Sequence, residues 1–154
     1  MKSICVFCSS SDLIDEVYFK TAIDLGCQIG GLNLDLVYGG GGIGLMGAVA
    51  RSVHKNGGKV VGVFPEFLRE KDKGFEYTEA DELIIAETMR IRKAIMDERA
   101  DAFIVLPGGI GTLEEAIEIM SMKQLGLTDK PLAFVNTNNF YDSLISNFQM
   151  MVGL

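Results

Sequence analysis

The stretch Ala102-Phe103-Ile104-Val105-Leu106-Pro107-Gly108-Gly109-Ile110-Gly111-Thr112-Leu113-Glu114-Glu115 decides how this chain is read. Five apolar residues make a buried strand from Ala102 to Leu106, Pro107 ends it, and three glycines follow before a helix expected from Thr112 to Leu125. Glycines let a backbone approach an anion closely. Their N–H groups, with the unpaired N–H groups of a helix's first turn, form a phosphate-sized site that the helix dipole reinforces. A tight strand-to-helix turn without a ligand has the same composition. A Walker loop is excluded, because no Gly-Lys-Ser or Gly-Lys-Thr occurs in the chain.

The same strand-then-helix alternation runs outward in both directions. Strands are expected over Ser3 to Cys8, Asp35 to Tyr38, Lys59 to Phe64, Glu82 to Ala86 and Leu132 to Asn136. Helices are expected over Val17 to Gly30, Gly44 to Asn56, Thr88 to Arg99 and Tyr141 to Met151. Regular βα alternation predicts an α/β fold, a parallel sheet with helices on both faces, in one domain spanning residues 1–154. Ligands then bind outside the carboxyl ends of the strands, so the informative loops follow Cys8, Tyr38, Phe64, Ala86 and Leu106. Pro65 to Thr78 is the one long irregular stretch, a lid or a solvated loop, with length statistics favouring the loop.

Composition narrows the function classes. A net charge of -7 argues against a nucleic-acid partner, whose phosphates must be neutralised by Lys and Arg. No apolar run approaches the roughly 20 residues of a membrane span, and the start lacks the features of a leader, so a cytoplasmic protein is expected. Three cysteines fit a reducing compartment. Cys5 and Cys8 form a CxxC within a strand, where positions three apart face opposite ways, which disfavours a redox or metal site. No cofactor is expected.

Charged residues close to the phosphate-like loop carry two readings each. Thr112-Leu113-Glu114-Glu115 is a capping box, with Thr112 as N-cap and Glu115 reaching back to its N–H. Chemistry is compatible with that role, because a first-turn carboxylate is held ionised by the helix dipole. Met89, Arg92, Lys93 and Met96 share one helix side, a stripe mixing charge with apolar surface. A phosphate and a carboxylate at one helix N-terminus repel each other, and Arg92 and Lys93 would relieve that.

A second glycine loop, Gly39 to Gly47, contains G-x-G-x-x-G at Gly42, Gly44 and Gly47, with Glu66 about 20 residues on, as in a dinucleotide fingerprint. It follows the second strand rather than the first, which weighs against NAD. His54, the single histidine, sits near a helix end and is expected to be solvated or C-capping. The absence of Gly-x-Ser-x-Gly removes support for a serine hydrolase.

Taken together, Val6 to Ser10, Val37 to Ala50, Gly62-Val63-Phe64-Pro65, Met89 with Arg92-Lys93, and Pro107 to Glu115 resemble the LONELY GUY family of cytokinin riboside 5'-monophosphate phosphoribohydrolases, often labelled lysine decarboxylases. The resemblance implies a Rossmann-like, doubly wound fold and a homodimer. It also implies hydrolysis of the N-glycosidic bond of a nucleoside 5'-monophosphate to free base and ribose 5-phosphate. By position, Arg92 and Glu115 match the catalytic pair. Lys93, Gly108, Gly109, Ile110, Gly111, Thr112 and Glu114 match nucleotide-binding positions, with Ser10 and, more loosely, Glu70. Arg90 departs from the family, standing where many members have histidine. The alternative is a carrier of a phosphorylated ligand such as the molybdenum cofactor, which needs the loop without the Arg92 and Glu115 pair.

Overall fold

A computed structural model describes residues 1–71 and 74–152. Six strands form one sheet, each pairing in parallel with its neighbours: β1 (Ser3–Phe7), β2 (Asp35–Tyr38), β3 (Val60–Pro65), β4 (Glu82–Ala86), β5 (Ala102–Val105) and β6 (Leu132–Phe134). Their spatial order is β4-β3-β2-β1-β5-β6. The chain therefore winds outward from β1 through β4, crosses back, and continues from β5 on the other side of β1. That reversal places the expected crevice between the loops that follow β1 and β5.

Alternation along the strands feeds two cores. Ile4, Val6, Cys8, Leu36, Tyr38, Val60 and Leu106 face α1 (Glu16–Gly31) and α2 (Gly44–Lys55), which contribute Ala22, Ile29, Leu45, Val49 and Val53. Cys5, Phe7, Val37, Val61, Val63, Phe103 and Val105 face α4 (Met89–Arg99), α5 (Ile110–Gln124) and the start of α6 (Asp142–Val152). Cys5 and Cys8 thus lie in opposite cores as free thiols, as the strand period requires. Tyr141, just before α6, is 2% exposed and donates its hydroxyl to the Leu106 carbonyl at 2.7 Å, bracing the end of β5.

Residues 65–78 are not irregular throughout, because α3 (Glu66–Lys71) follows β3 directly. Its six residues bury none of their number, so no apolar period marks it in the sequence. Of the charged run after Arg69, Asp72 and Lys73 lie outside the described residues.

Candidate active site

One cleft of about 500 Å³ opens at the carboxyl edge of the sheet. Every loop singled out above reaches it: Ser9 and Ser10 after β1, Gly39 and Gly41 after β2, Leu68 after β3, Met89 after β4, and Gly109 to Thr112 after β5. Loop is tied to loop by backbone bonds, Ser9 N–H to the Pro107 carbonyl at 3.2 Å and Met46 N–H to the Ser9 carbonyl at 3.3 Å.

At the cleft floor α4 and α5 bring a charge pair together. Arg92 Nη1 donates to Glu115 Oε1 at 2.6 Å, with the two side chains only 5% and 6% exposed. Arg92 Nε donates to the Val63 carbonyl at 2.9 Å. The last β2–β3 pair is Tyr38↔Gly62, so that carbonyl lies where β2 has already ended. Gly39 is what makes the slot: a Cβ there would overlap Arg92 Nη2. Sequence, strand end and buried guanidinium therefore form one arrangement.

Two expectations about α5 need correction. Thr112 is not the N-cap; the helix begins at Ile110 with Gly109 as N-cap and no side-chain cap. Glu115 accordingly sits in the second turn, and its carboxylate goes to Arg92 rather than to a backbone N–H. A guanidinium held in a dry site outcompetes a neutral amide for a carboxylate. The dipole does not set the protonation of Glu115 either. Burial pushes its carboxyl above the ordinary range, against the opposing pull of Arg92.

The uncapped first turn of α5 leaves the N–H groups around Ile110, Gly111 and Thr112 without a side-chain acceptor, facing the cleft through Gly111 and Thr112. The other glycine loop differs. There Gly44, at φ 59°, has its N–H taken by Asp12 Oδ1 at 2.9 Å. One carboxylate already occupies the α2 terminus, which removes the phosphate seat a dinucleotide fingerprint requires.

The remaining candidates divide. Ser10, Gly109, Gly111, Thr112, Glu114, Arg92 and Glu115 all line the cleft. Gly108 packs against Thr112, whose side chain would collide with a Cβ at that position. Ile110 is 83% exposed, and Glu70 is exposed on α3. Lys93 borders a separate small cavity between α4 and α5, together with Arg90. There its Nζ pairs with Glu114 and, at 2.7 Å, with Glu118. Burial pulls the Lys93 ammonium down, but the hydrogen bonds it donates to Glu114 and Glu118 outweigh that and hold its pKa above the usual lysine value.

Sequence reasoning did not single out the apolar wall, formed by Ile43, Met46, Phe64, Leu68 and Phe75. Position at a strand's carboxyl end was the available signal for Phe64, and position just beyond it for Leu68; Phe75 has none. His54 is neither solvated nor C-capping. Its Nδ1 meets the Tyr77 hydroxyl at 2.9 Å and its Nε2 meets Asp81 Oδ2 at 2.8 Å. Cys8 also borders the cleft, but burial raises its thiol so far that it stays protonated and unreactive.

The model of a family described as "possible lysine decarboxylase" matches residues 46–153. The chain is 46% identical over 145 residues to the cytokinin riboside 5'-monophosphate phosphoribohydrolase LOG3 of Arabidopsis thaliana, covering 94% of this chain and 66% of that protein. It is 46% identical over 144 residues to a probable enzyme of the same name from that plant, LOG6, covering 94% and 71%. The chain thus spans about two thirds the length of these relatives. Among solved structures, the molybdenum cofactor carrier protein of Chlamydomonas reinhardtii superposes with a TM-score of 0.76 at 20% identity, over 96% of this chain and 84% of that one. The molybdenum cofactor binding protein of Rippkaea orientalis gives 0.73 at 22% identity, over 96% and 85%. At such identities the likeness is one of fold.

Proposed function

The chain belongs to the LONELY GUY, or possible lysine decarboxylase, family, and on that premise we propose that it hydrolyses the N-glycosidic bond of a nucleoside 5'-monophosphate, releasing the free base and ribose 5-phosphate. The substrate class is taken from the relatives' names, cytokinin riboside 5'-monophosphates, with AMP as the unmodified parent. The buried Arg92–Glu115 pair beside an uncapped helix terminus carries the reading.

In this reading the 5'-phosphate docks on the N–H groups of Gly109 to Thr112. The base lies along the apolar wall. As the C–N bond breaks, its electron pair leaves with the base and the sugar gains oxocarbenium character. A water oxygen bonds the anomeric carbon and gives its proton to Glu115, while the departing base takes a proton from solvent. Arg92 engages Glu115 through Oε1, leaving Oε2 for the water. A carboxyl whose proton affinity is raised by burial is the better base for that step. Arg92 orients the carboxylate and balances its charge; a guanidinium does not give up its proton in proteins and so is no acid for the leaving base.

Lysine decarboxylation would require pyridoxal phosphate on a lysine with a lowered pKa. Among the described residues no lysine lines the cleft, and Lys93 is shifted the other way. The residues do not fit that cofactor.

The protein acts as a homodimer in the cytoplasm. Ile91, Ile110, Ile117, Leu125 and Leu127, on α4, α5 and the turn beyond, are large exposed apolar residues that a second copy would cover. No helix among the described residues is long and apolar enough to cross a membrane.

Incubation with AMP and with a cytokinin riboside 5'-monophosphate, followed by chromatography, should show free base and ribose 5-phosphate. Release from neither nucleotide, or full activity in Glu115→Gln, would sink the proposal. Tight binding of a cofactor without turnover would favour a carrier instead.

A further inference from the structure

The apolar wall is held by a device that lies outside the cleft. Residues 75–77 pair with the glycine loop after β2: Gly42 N–H donates to the Phe75 carbonyl at 2.7 Å, and Tyr77 N–H donates to the Gly40 carbonyl at 2.8 Å. A bridge between Gly41 and Glu76 lies between them. Phe75 and Gly41 both line the cleft, so this short ladder carries the Phe75 part of the wall. Arg51 Nη1 adds a bond to the Gly42 carbonyl at 2.8 Å.

From Tyr77 the chain runs to Asp81, which directly precedes β4 and accepts the N–H of Val60, the first residue of β3, at 2.7 Å. That bond, and next the one from His54, hold the Asp81 carboxyl below its ordinary range, so it is ionised and only accepts. His54 Nε2 therefore carries a proton and donates to it. The other ring nitrogen meets the hydroxyl of Tyr77, which also donates to Glu79 Oε2 at 3.2 Å; Tyr77 is 7% exposed and packs in the α1/α2 core. A single side chain near the end of α2 thus grips both ends of the segment that returns from the cleft.

We propose that His54 is a positioning residue: by clamping Tyr77 and Asp81 it holds residues 75–77 against the glycine loop, and so fixes the Phe75 wall on which a bound nucleotide packs. The wall's contact with a nucleotide rests on the function proposed above; the clamp itself does not. Because His54 does not touch the reacting atoms, its loss acts on binding. The ladder has two backbone bonds, and among the described residues no strand pairs beyond it, so without the clamp it opens locally rather than with the sheet.

The test compares wild type, His54→Leu, Tyr77→Phe and Asp81→Asn in the full chain by hydrogen exchange and by steady-state kinetics with AMP. In His54→Leu and Tyr77→Phe, exchange at the Gly42 and Tyr77 amides should quicken about tenfold, with the Val61 and Val105 amides unchanged. KM for AMP should rise about five- to tenfold with kcat within about twofold. Asp81→Asn keeps an acceptor for both donors and should stay close to wild type. Unchanged exchange at Gly42 and Tyr77, or equal loss of protection at Val61 and Val105, overturns the clamp, as does a fall in kcat with KM constant. If wild type cleaves no nucleotide, the proposed function fails while the exchange arm still decides the clamp.

Discussion

Replacing Arg92 by methionine removes one partner of a pair that is about 95% shielded from solvent. Glu115 would then be left in a dry site with no cation, and the Val63 carbonyl would lose its donor. Breaking a buried pair from one side costs about 3–5 kcal/mol. At about 2–4 °C per kcal/mol for a domain of this size, the melting temperature should fall by roughly 6–20 °C at pH 7. The loss depends on pH with a definite sign. Without the guanidinium the Glu115 carboxyl, already raised by burial, is raised further. A carboxyl with a raised folded pKa favours the folded state below its unfolded pKa and loses that contribution as pH rises through the folded value. The Arg92→Met deficit should therefore shrink toward pH 5 and grow toward pH 8. Adding Glu115→Leu should remove the part of the loss due to the unpaired charge and leave a deficit of about 1–3 kcal/mol, that of the Val63 carbonyl without its donor. Calorimetry on wild type, both single variants and the double variant closes the cycle. If the double variant loses the sum of the two single losses, the pair is not one coupled unit and the account of the cleft floor is wrong.

Other outcomes follow from the same geometry. The acid limb of kcat/KM should have its midpoint above the ordinary Glu value of about 4.3, because burial raises Glu115 and the base must be ionised; Glu115→Gln should abolish the limb along with most activity, read from a pH–rate profile. Gly39→Ala should lower kcat by about tenfold or more, since the new methyl occupies the space of Arg92 Nη2, and a crystal structure should show the guanidinium displaced. Adenosine, which lacks the phosphate that α5 would hold, should be cleaved with kcat/KM lower than that of AMP by about a hundredfold or more. Tyr141→Phe leaves the buried Leu106 carbonyl without its donor and should cost about 1–3 kcal/mol in urea unfolding.

The strands were legible as short, mostly apolar runs between turn residues: Asp35 to Tyr38 and Glu82 to Ala86 have the bounds the sequence predicts. The cleft's place followed from the βα alternation, since each loop named from strand ends reaches it. What failed was local reasoning about groups with distant partners. A capping box is satisfied by spacing alone, yet Glu115 meets an arginine 23 residues away. His54 has no neighbour in sequence that announces Tyr77 or Asp81, 23 and 27 residues on. Nor does Asp12 look like the cap of a helix that starts at Gly44, 32 residues later. Pairing across the fold settles such groups: the need for charge balance pointed from Glu115 to Arg92, but nothing in the sequence pointed from His54 or Asp12 to their partners.

The bond from Arg92 to the Val63 carbonyl carries one further implication. The guanidinium that orients Glu115 is seated on the main chain of β3, at the point where β2 stops, so the pair can assemble only in molecules whose β2, β3 and α4 are docked together. Partly denatured molecules, however helical, would contribute nothing to turnover. Residual activity after heating then counts intact sheets, and should track loss of the β3 amide protection more closely than it tracks helical circular dichroism.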